Sequence, residues 1–176
     1  MRKLTIRQAT VDDAATIAGI QVRGWQWGYR GILPKDILAS LSAEAREPKW
    51  REQLEPNSPA STSMAIEDDV PLGFVTYGPA RDSDLSPPAD AGEIYAIYEE
   101  EAVAGTGVGS ALMAHATDEL RSRHYTLAVL WVLEANSRAR RFYEIGGWER
   151  DGGVRVERAP EGERREVRYR KLLTQP

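Results

Sequence analysis

The segment Ala104-Gly-Thr-Gly-Val-Gly109 joins an apolar run ending at Tyr98 to a helical pattern beginning at Gly107, and a glycine-rich turn that opens a helix can hold an anion. The first N–H groups of a helix lack intrahelical partners, and its dipole is positive there. Glycine lets a phosphate approach those groups without a Cβ in the way. The same glycines also suit a tight strand-to-helix turn with no ligand. Spacing excludes two phosphate loops: there is no Gly-Lys-Ser/Thr, and Ser110 stands where a dinucleotide-binding turn needs its third glycine. The chain has no cysteine, which removes thiolate nucleophiles, disulfides and sulfur-ligated zinc together. Its two histidines, His115 and His124, fall within and at the end of the helix after the turn. Their titration range suits acid–base work, but these positions read as structural, and no metal site is expected.

The elements that must position this turn follow from periodicity. Leu4-Thr-Ile-Arg7 alternates as a first strand, and Thr10-Val-Asp-Asp13 opens a helix whose buried face is Ala14, Ile17, Ala18 and Val22. Trp25 to Pro34, aromatic and broken by glycine, reads as a helix end and loop. Short helices are expected over Lys35–Ser40 and Ala43–Leu54, then a hairpin of Ser63–Glu67 and Leu72–Tyr77 turning at Asp68-Asp69. Residues 79–91 form the most loop-like segment. Glu93–Tyr98 is a strand, Gly107–Arg123 a helix, and Thr126–Val132 a strand apolar enough to be covered on both faces. Asn136 caps a helix ending at Gly146-Gly147, and strands over Trp148–Arg158 and Arg164–Leu172 pair across Pro160-Glu-Gly162. The order predicts one mixed α/β domain over residues 1–176, without repeats or low-complexity segments.

Composition agrees and narrows the partners. With 176 residues, 41% hydrophobic and 28% charged, the chain can bury a single core without staples. Twenty-three Lys and Arg against 27 Asp and Glu give a net charge of -4, which disfavours nucleic acid and makes a cationic small molecule the natural partner. No apolar run spans a membrane and Met1-Arg-Lys-Leu-Thr lacks a signal-peptide core, so a cytoplasmic location is expected.

Three stretches together carry a resemblance. Glu93-Ile-Tyr-Ala-Ile-Tyr98, Gly105-Thr-Gly-Val-Gly-Ser-Ala-Leu-Met113 and Leu130-Trp-Val-Leu-Glu-Ala-Asn-Ser-Arg-Ala-Arg-Arg-Phe-Tyr-Glu-Ile-Gly-Gly-Trp148 resemble, in order and separation, motifs of the GNAT superfamily of acetyl-CoA-dependent N-acetyltransferases. The element order fits that family over about residues 3–173. The resemblance implies a central twisted mixed sheet of about six to seven strands flanked by about four helices. Two departures stand out: Ala104 replaces the Gln or Arg that usually begins the glycine loop, and Glu99-Glu-Glu101 replaces an apolar residue and a proline. The three carboxylates read as a solvated edge of the turn.

What the resemblance implies for the residues is specific. Ala104, Gly105, Thr106, Gly107, Val108, Gly109 and Ser110 would cradle the coenzyme A pyrophosphate, and the strand at Ile97, Tyr98 and Glu99 would splay from its neighbour and bond the pantetheine through its backbone. Asn136 and Ala139 would flank the coenzyme, while Arg140 either meets a phosphate or is solvated. Tyr143 matches the tyrosine that protonates the leaving thiolate, though it also suits a core aromatic beside Phe142. Glu93 matches a general-base glutamate, or else is a surface carboxylate, and period two puts it on the face of Tyr95 and Ile97. Trp25, Trp27 and Tyr29 are candidates for the acceptor wall, or for packing. Asp82, Asp84 and Asp90 in the long loop suit an amine. The expected activity is acetyl transfer to a primary amine, small-molecule or peptide, by direct attack in a ternary complex. The alternatives are a non-catalytic acyl-CoA-binding regulatory domain on the same fold and a site for another phosphate-containing ligand such as a nucleotide. A homodimer through exposed C-terminal strands is also expected.

Overall fold

Asp13 accepts the Thr10 N–H at 2.8 Å and both Nη groups of Arg7 at 2.8 Å, so the acidic residue three places past the threonine fixes where the first helix begins. The computed structural model describes residues 4–85, 90–159 and 162–173. Strand β1 (Leu4–Gln8) leads through a 3-10 turn (Val11–Asp13) into α1 (Ala14–Gly28), α2 (Lys35–Ala39) and α3 (Ala43–Gln53). Then come β2 (Ser61–Glu67), β3 (Val70–Pro79), β4 (Ala91–Glu99), α4 (Val108–Ser122), β5 (Leu127–Leu133), α5 (Ser137–Ile145), β6 (Glu149–Ala159) and β7 (Gly162–Leu172). The expected turn residues Pro160 and Glu161, part of the long loop (86–89) and the first three residues lie outside the described set.

The strands form one sheet in the order β1-β2-β3-β4-β5-β7-β6, antiparallel except where β5 lies parallel to β4. The mixed sheet of seven strands is the one expected, and five α-helices stand among the described residues where the resemblance implied about four. On one face α4 and α5 cover it: Leu112, Ala116 and Leu120, at i, i+4 and i+8, meet Val75, Ile94, Leu130, Val167 and Tyr169. On the other face α1 and α3 set Ile17, Ile20 and Trp50 against Met64 and Phe74. Helix α4 stops at Arg123 because His124 takes the left-handed conformation (φ 65°) usual for a residue just past a helix end. His115, in the middle of α4, bonds Ser63 Oγ at 3.0 Å. Among the described residues no helix is long and apolar enough to cross a membrane.

Two irregularities in β4 shape everything that follows. Its ladder with β5 runs only from Ala91 to Ile94, whereas β4 stays paired with β3 out to Glu99, and β5 stays paired with β7 out to Leu133. From Tyr95 onward the two central strands therefore part, two residues earlier than the sequence implied. Between Ile94 and Ala96 the register with β3 also shifts by one, leaving Tyr95 as an extra bulged residue. The bulge corrects the expected alternation. Ile97 joins Ile94 on the α4 side, while Ala96 and Tyr98 pack toward α1 and α3, so Glu93 does not share a face with Ile97.

Candidate active site

The parting of β4 and β5 opens a cavity of about 370 Å³. Its walls are the free edge of β4 from Tyr95 to Glu99, the end of β5, the turn at Ala104 and Gly105, and the face of α5 that carries Asn136, Ala139 and Tyr143. Gly105 (φ 77°) and Gly107 (φ 102°) hold backbone conformations that L side chains rarely adopt, and a Cβ on either would meet nothing within 4 Å. The turn is thus left-handed and open on the outside. Thr106 turns its hydroxyl back onto Val103 O at 2.7 Å, Val108 is in the core and Ser110 is exposed, so this segment offers its backbone.

The Ala104 and Thr106 amides close backbone turns onto Glu101 O and Val103 O, and the amide at the start of α4 is taken by a side chain. Gly109 N–H donates to Glu99 Oε2 at 2.8 Å. The three consecutive carboxylates do not form a common solvated edge. Glu100 pairs with Arg23 of α1, Glu101 lies 3.6 Å from Arg30 at the surface, and Glu99 turns inward to the helix start. Burial raises the Glu99 pKa, and the Gly109 N–H and the charge of Arg138 offset part of that rise.

Helix α5 starts because Asn136 Oδ1 accepts the Ala139 N–H at 3.1 Å. Residues two apart on a helix point to different sides, and this separates the arginines. Arg140 bonds Tyr169 and the Glu134 carbonyl, at 3.2 and 3.0 Å, away from the cavity. Arg138, which sequence reasoning passed over, borders the cavity with its guanidinium 3.6 Å from the centre of the Trp27 ring. Tyr143 packs between Phe142 and Tyr169, and its hydroxyl has no hydrogen bond among the described residues. Burial and the neighbouring Tyr29 push its pKa well up.

A second cavity of about 250 Å³ adjoins the first and shares Tyr29, Tyr95, Tyr98 and Trp131 with it. The three aromatics expected on one acceptor wall are split, because α1 runs on to Gly28 where a loop was anticipated. Trp25 and Tyr29, four apart, stack edge to face at 5.0 Å and line the second cavity. Trp27 faces the first, with Nε1 on Glu99 O at 3.3 Å. Tyr29 and Tyr98 interact through their hydroxyls, and burial raises the pKa of both.

Glu93 borders the second cavity but is only 1% exposed, since Arg81 covers it with three hydrogen bonds: Nη2 to Oε1 at 2.6 Å, and N and Nε to Oε2 at 3.1 Å. It is a buried, paired carboxylate, not a surface one. The Arg81 guanidinium lies over the Tyr95 ring at 4.3 Å. Burial and the Glu93 charge push the Tyr95 pKa up to about 12. Asp82 and Asp84 are not offered to a ligand, because Arg168 of β7 binds both.

Comparison with known proteins agrees with this geometry. Residues 23–147 match the acetyltransferase (GNAT) family. The chain is 31% identical over 134 residues to the uncharacterized N-acetyltransferase YuaI of Bacillus subtilis, covering 76% of this chain and 73% of that protein. Its fold matches that of PaiA N-acetyltransferase from Thermoplasma acidophilum, solved with coenzyme A, at a TM-score of 0.72 and 19% identity over 97% of this chain and 99% of that one. The ribosomal-protein-S18-alanine N-acetyltransferase of Escherichia coli matches at 0.71 and 16% identity over 99% of this chain and 96% of that one. A wedge between two parting central strands, a left-handed glycine turn opening the helix beside it, and a family match covering both place this chain in the GNAT family of acetyltransferases.

Proposed function

We propose that the chain moves an acetyl group from acetyl-CoA to an amine, with the coenzyme in the first cavity and the acceptor in the second. The observation that carries this reading is that the two cavities share a wall where β4 has a free edge and Tyr143 stands across the gap. The residues fit the coenzyme. The open turn from Ala104 to Ser110 offers backbone for the pyrophosphate, the free edge at Ile97, Tyr98 and Glu99 offers it for the pantetheine, and Asn136, Arg138 and Ala139 close the other side. Bound there, acetyl-CoA supplies an activated acetyl group. Free N–H groups of β4 stabilise charge developing on the carbonyl, and the Tyr143 phenol gives a proton to the departing thiolate. Arg81 takes three of the roughly four acceptor positions of Glu93, which leaves one on Oε1 to receive the proton that the amine sheds, directly or through water. The chain has no thiol nucleophile, which favours direct attack.

The test is a thermal melt with acetyl-CoA, CoA, ATP and NAD, followed by acceptor-dependent thiol release. A ligand at about one hundred times its Kd adds about 2.7 kcal/mol, a rise of several degrees in a chain of this length. The two CoA species alone should produce it; equal shifts with ATP or NAD, or none with CoA, would reject the proposal.

Glu99 gives a further expectation. Its carboxylate holds an amide that the pyrophosphate would use, so coenzyme binding requires that it withdraw or take up a proton. Its pKa is raised, so the protonated fraction grows as pH falls toward that value, and coenzyme affinity should increase in the same direction. Glu99→Gln should bind acetyl-CoA about tenfold more tightly, worth about 1.4 kcal/mol, with a flattened pH dependence. Calorimetric titration between acid and neutral pH checks both parts.

A further inference from the structure

The chain's net charge of -4 favours a cationic acceptor. The second cavity is lined by as many arginines as glutamates, and in both of its ion pairs the guanidinium is the more exposed partner. Arg81, Arg155 and Arg164 line it together with Glu93, Glu157 and Glu166. In the Arg81–Glu93 pair the arginine side chain is 61% exposed and the carboxylate 2%. In the Arg155–Glu166 pair the values are 46% and 26%. Each of these carboxylates lies beneath its own arginine, and Glu157 remains as an exposed acid on β6.

The two arginines are also held ready. Arg81 gives Nε and Nη2 to Glu93 and rests on the Tyr95 ring, and its Nη1 has no partner among the described residues. Arg155 gives Nε to Glu166 and rests on the Trp131 ring at 4.5 Å, with neither Nη committed among the described residues. A guanidinium fixed against an aromatic face with free N–H groups at its edge is suited to a carboxylate, which accepts two such bonds side by side. Arg81 arrives from the loop after β3 and Arg155 from β6, so an anion between them is held from two elements. The volume of about 250 Å³ falls below the roughly 300–1,000 Å³ usual for drug-sized ligands, which limits the acceptor to a small molecule.

Resting on the acetyl-transfer reading above, we infer that the acceptor is a small amine that also bears a carboxylate, a molecule of the amino-acid type. Arg81 and Arg155 receive the carboxylate, and the amine faces the opening between β4 and β5. Trp25 and Tyr29 wall the rest of the molecule.

The experiment measures thiol release from acetyl-CoA with the twenty common L-amino acids, with phenethylamine, tyramine and histamine as decarboxylated partners of three of them, and with spermidine. At least one amino acid should be acetylated, and the carboxylate-bearing member of a matched pair should exceed its partner by about 100-fold or more in kcat/KM. Arg155→Gln should reduce that preference about tenfold through KM. Arg81→Gln should do the same, and if uncovering Glu93 prevents folding, Arg155→Gln carries the test alone. Faster turnover of spermidine or of the decarboxylated amines overturns the inference and leaves acetyl transfer standing. Protein that binds acetyl-CoA but acetylates no amino acid also overturns it. Failure to bind acetyl-CoA removes the underlying reading, and the inference with it.

Discussion

Tyr143→Phe should lower kcat by about 100-fold or more while leaving the Kd for acetyl-CoA within about twofold, the loss typical of removing a general acid. The ring is held on both sides, by Phe142 at 5.4 Å and Tyr169 at 6.2 Å between centroids, so phenylalanine keeps the packing and only the hydroxyl goes. That hydroxyl bonds nothing among the described residues, so its removal strands no partner and costs little stability. Its raised pKa has two consequences. The phenol stays protonated across the working range, so no alkaline limb near its usual value of about 10 should belong to it. A buried phenol is also a reluctant acid, but a thiolate leaving into the same apolar surroundings is a stronger base than in water, and this narrows the mismatch. Steady-state kinetics with calorimetric binding separate the two effects. A loss below about tenfold would move the acid elsewhere. Tyr98 and Tyr29 would be the next phenols to replace, since Tyr98 senses the charge of Tyr143, and Tyr143 that of Tyr29.

What the sequence made legible was whatever depends on local pattern. Period and turn chemistry located the seven strands and the helices, and three motifs in order pointed to the glycine turn and to α5. Side-chain direction was lost wherever it depends on an irregularity that leaves no mark in the sequence. Nothing about Tyr95 announces a bulge, yet the bulge decides that Ile97 and Glu93 part company. The inward turn of Glu99 likewise depends on β4 staying paired with β3 to its last residue while α4 starts beside it. The exchange of Arg140 for Arg138 at the cavity was accessible in principle, because residues two apart on a helix point to different sides, but only once the start of α5 was fixed by Asn136. Long-range pairs were beyond reach: Asp82 and Asp84 meet an arginine 86 and 84 positions away.

Arg168→Met should destabilise the fold by about 3–5 kcal/mol, the usual cost of removing one partner from a buried ion pair. At about 2–4 °C per kcal/mol, the midpoint should fall by roughly ten degrees. Arg168 lies on the α1 side of the sheet with its side chain 7% exposed, opposite Trp131 in the register. Its Nε meets Asp151, itself 7% exposed, at 2.7 Å, while Nη1 and Nη2 hold Asp84 at 2.8 and 2.9 Å. Asp82 accepts from both Nη1 and the Trp131 indole. The site exists because β6 shifts register between Arg150 and Val154: Gly152 takes φ 91°, and a Cβ on Gly153 would lie 2.8 Å from Arg168 Nε. Methionine matches the length of the stem but leaves three carboxylates facing one another. The pH dependence identifies the cause. Arg168 holds the Asp84 pKa below its usual value, so in the wild type this contribution is present above the ordinary aspartate range and is lost only on strong acidification. Without the guanidinium the Asp84 carboxyl is no longer held below its usual value, so the variant has no such contribution to lose on acidification, and the gap to wild type should narrow as pH falls through the acid range. A second change, Asp151→Asn on the Arg168→Met background, should recover part of the loss at pH 7. The same clasp holds the loop from which Arg81 covers Glu93, so the acceptor KM should rise in the variant at temperatures where it is still fully folded. A gap in melting temperature that does not change with pH, or an acceptor KM equal to that of wild type, would show that Arg168 fills space and does not organise the acceptor side.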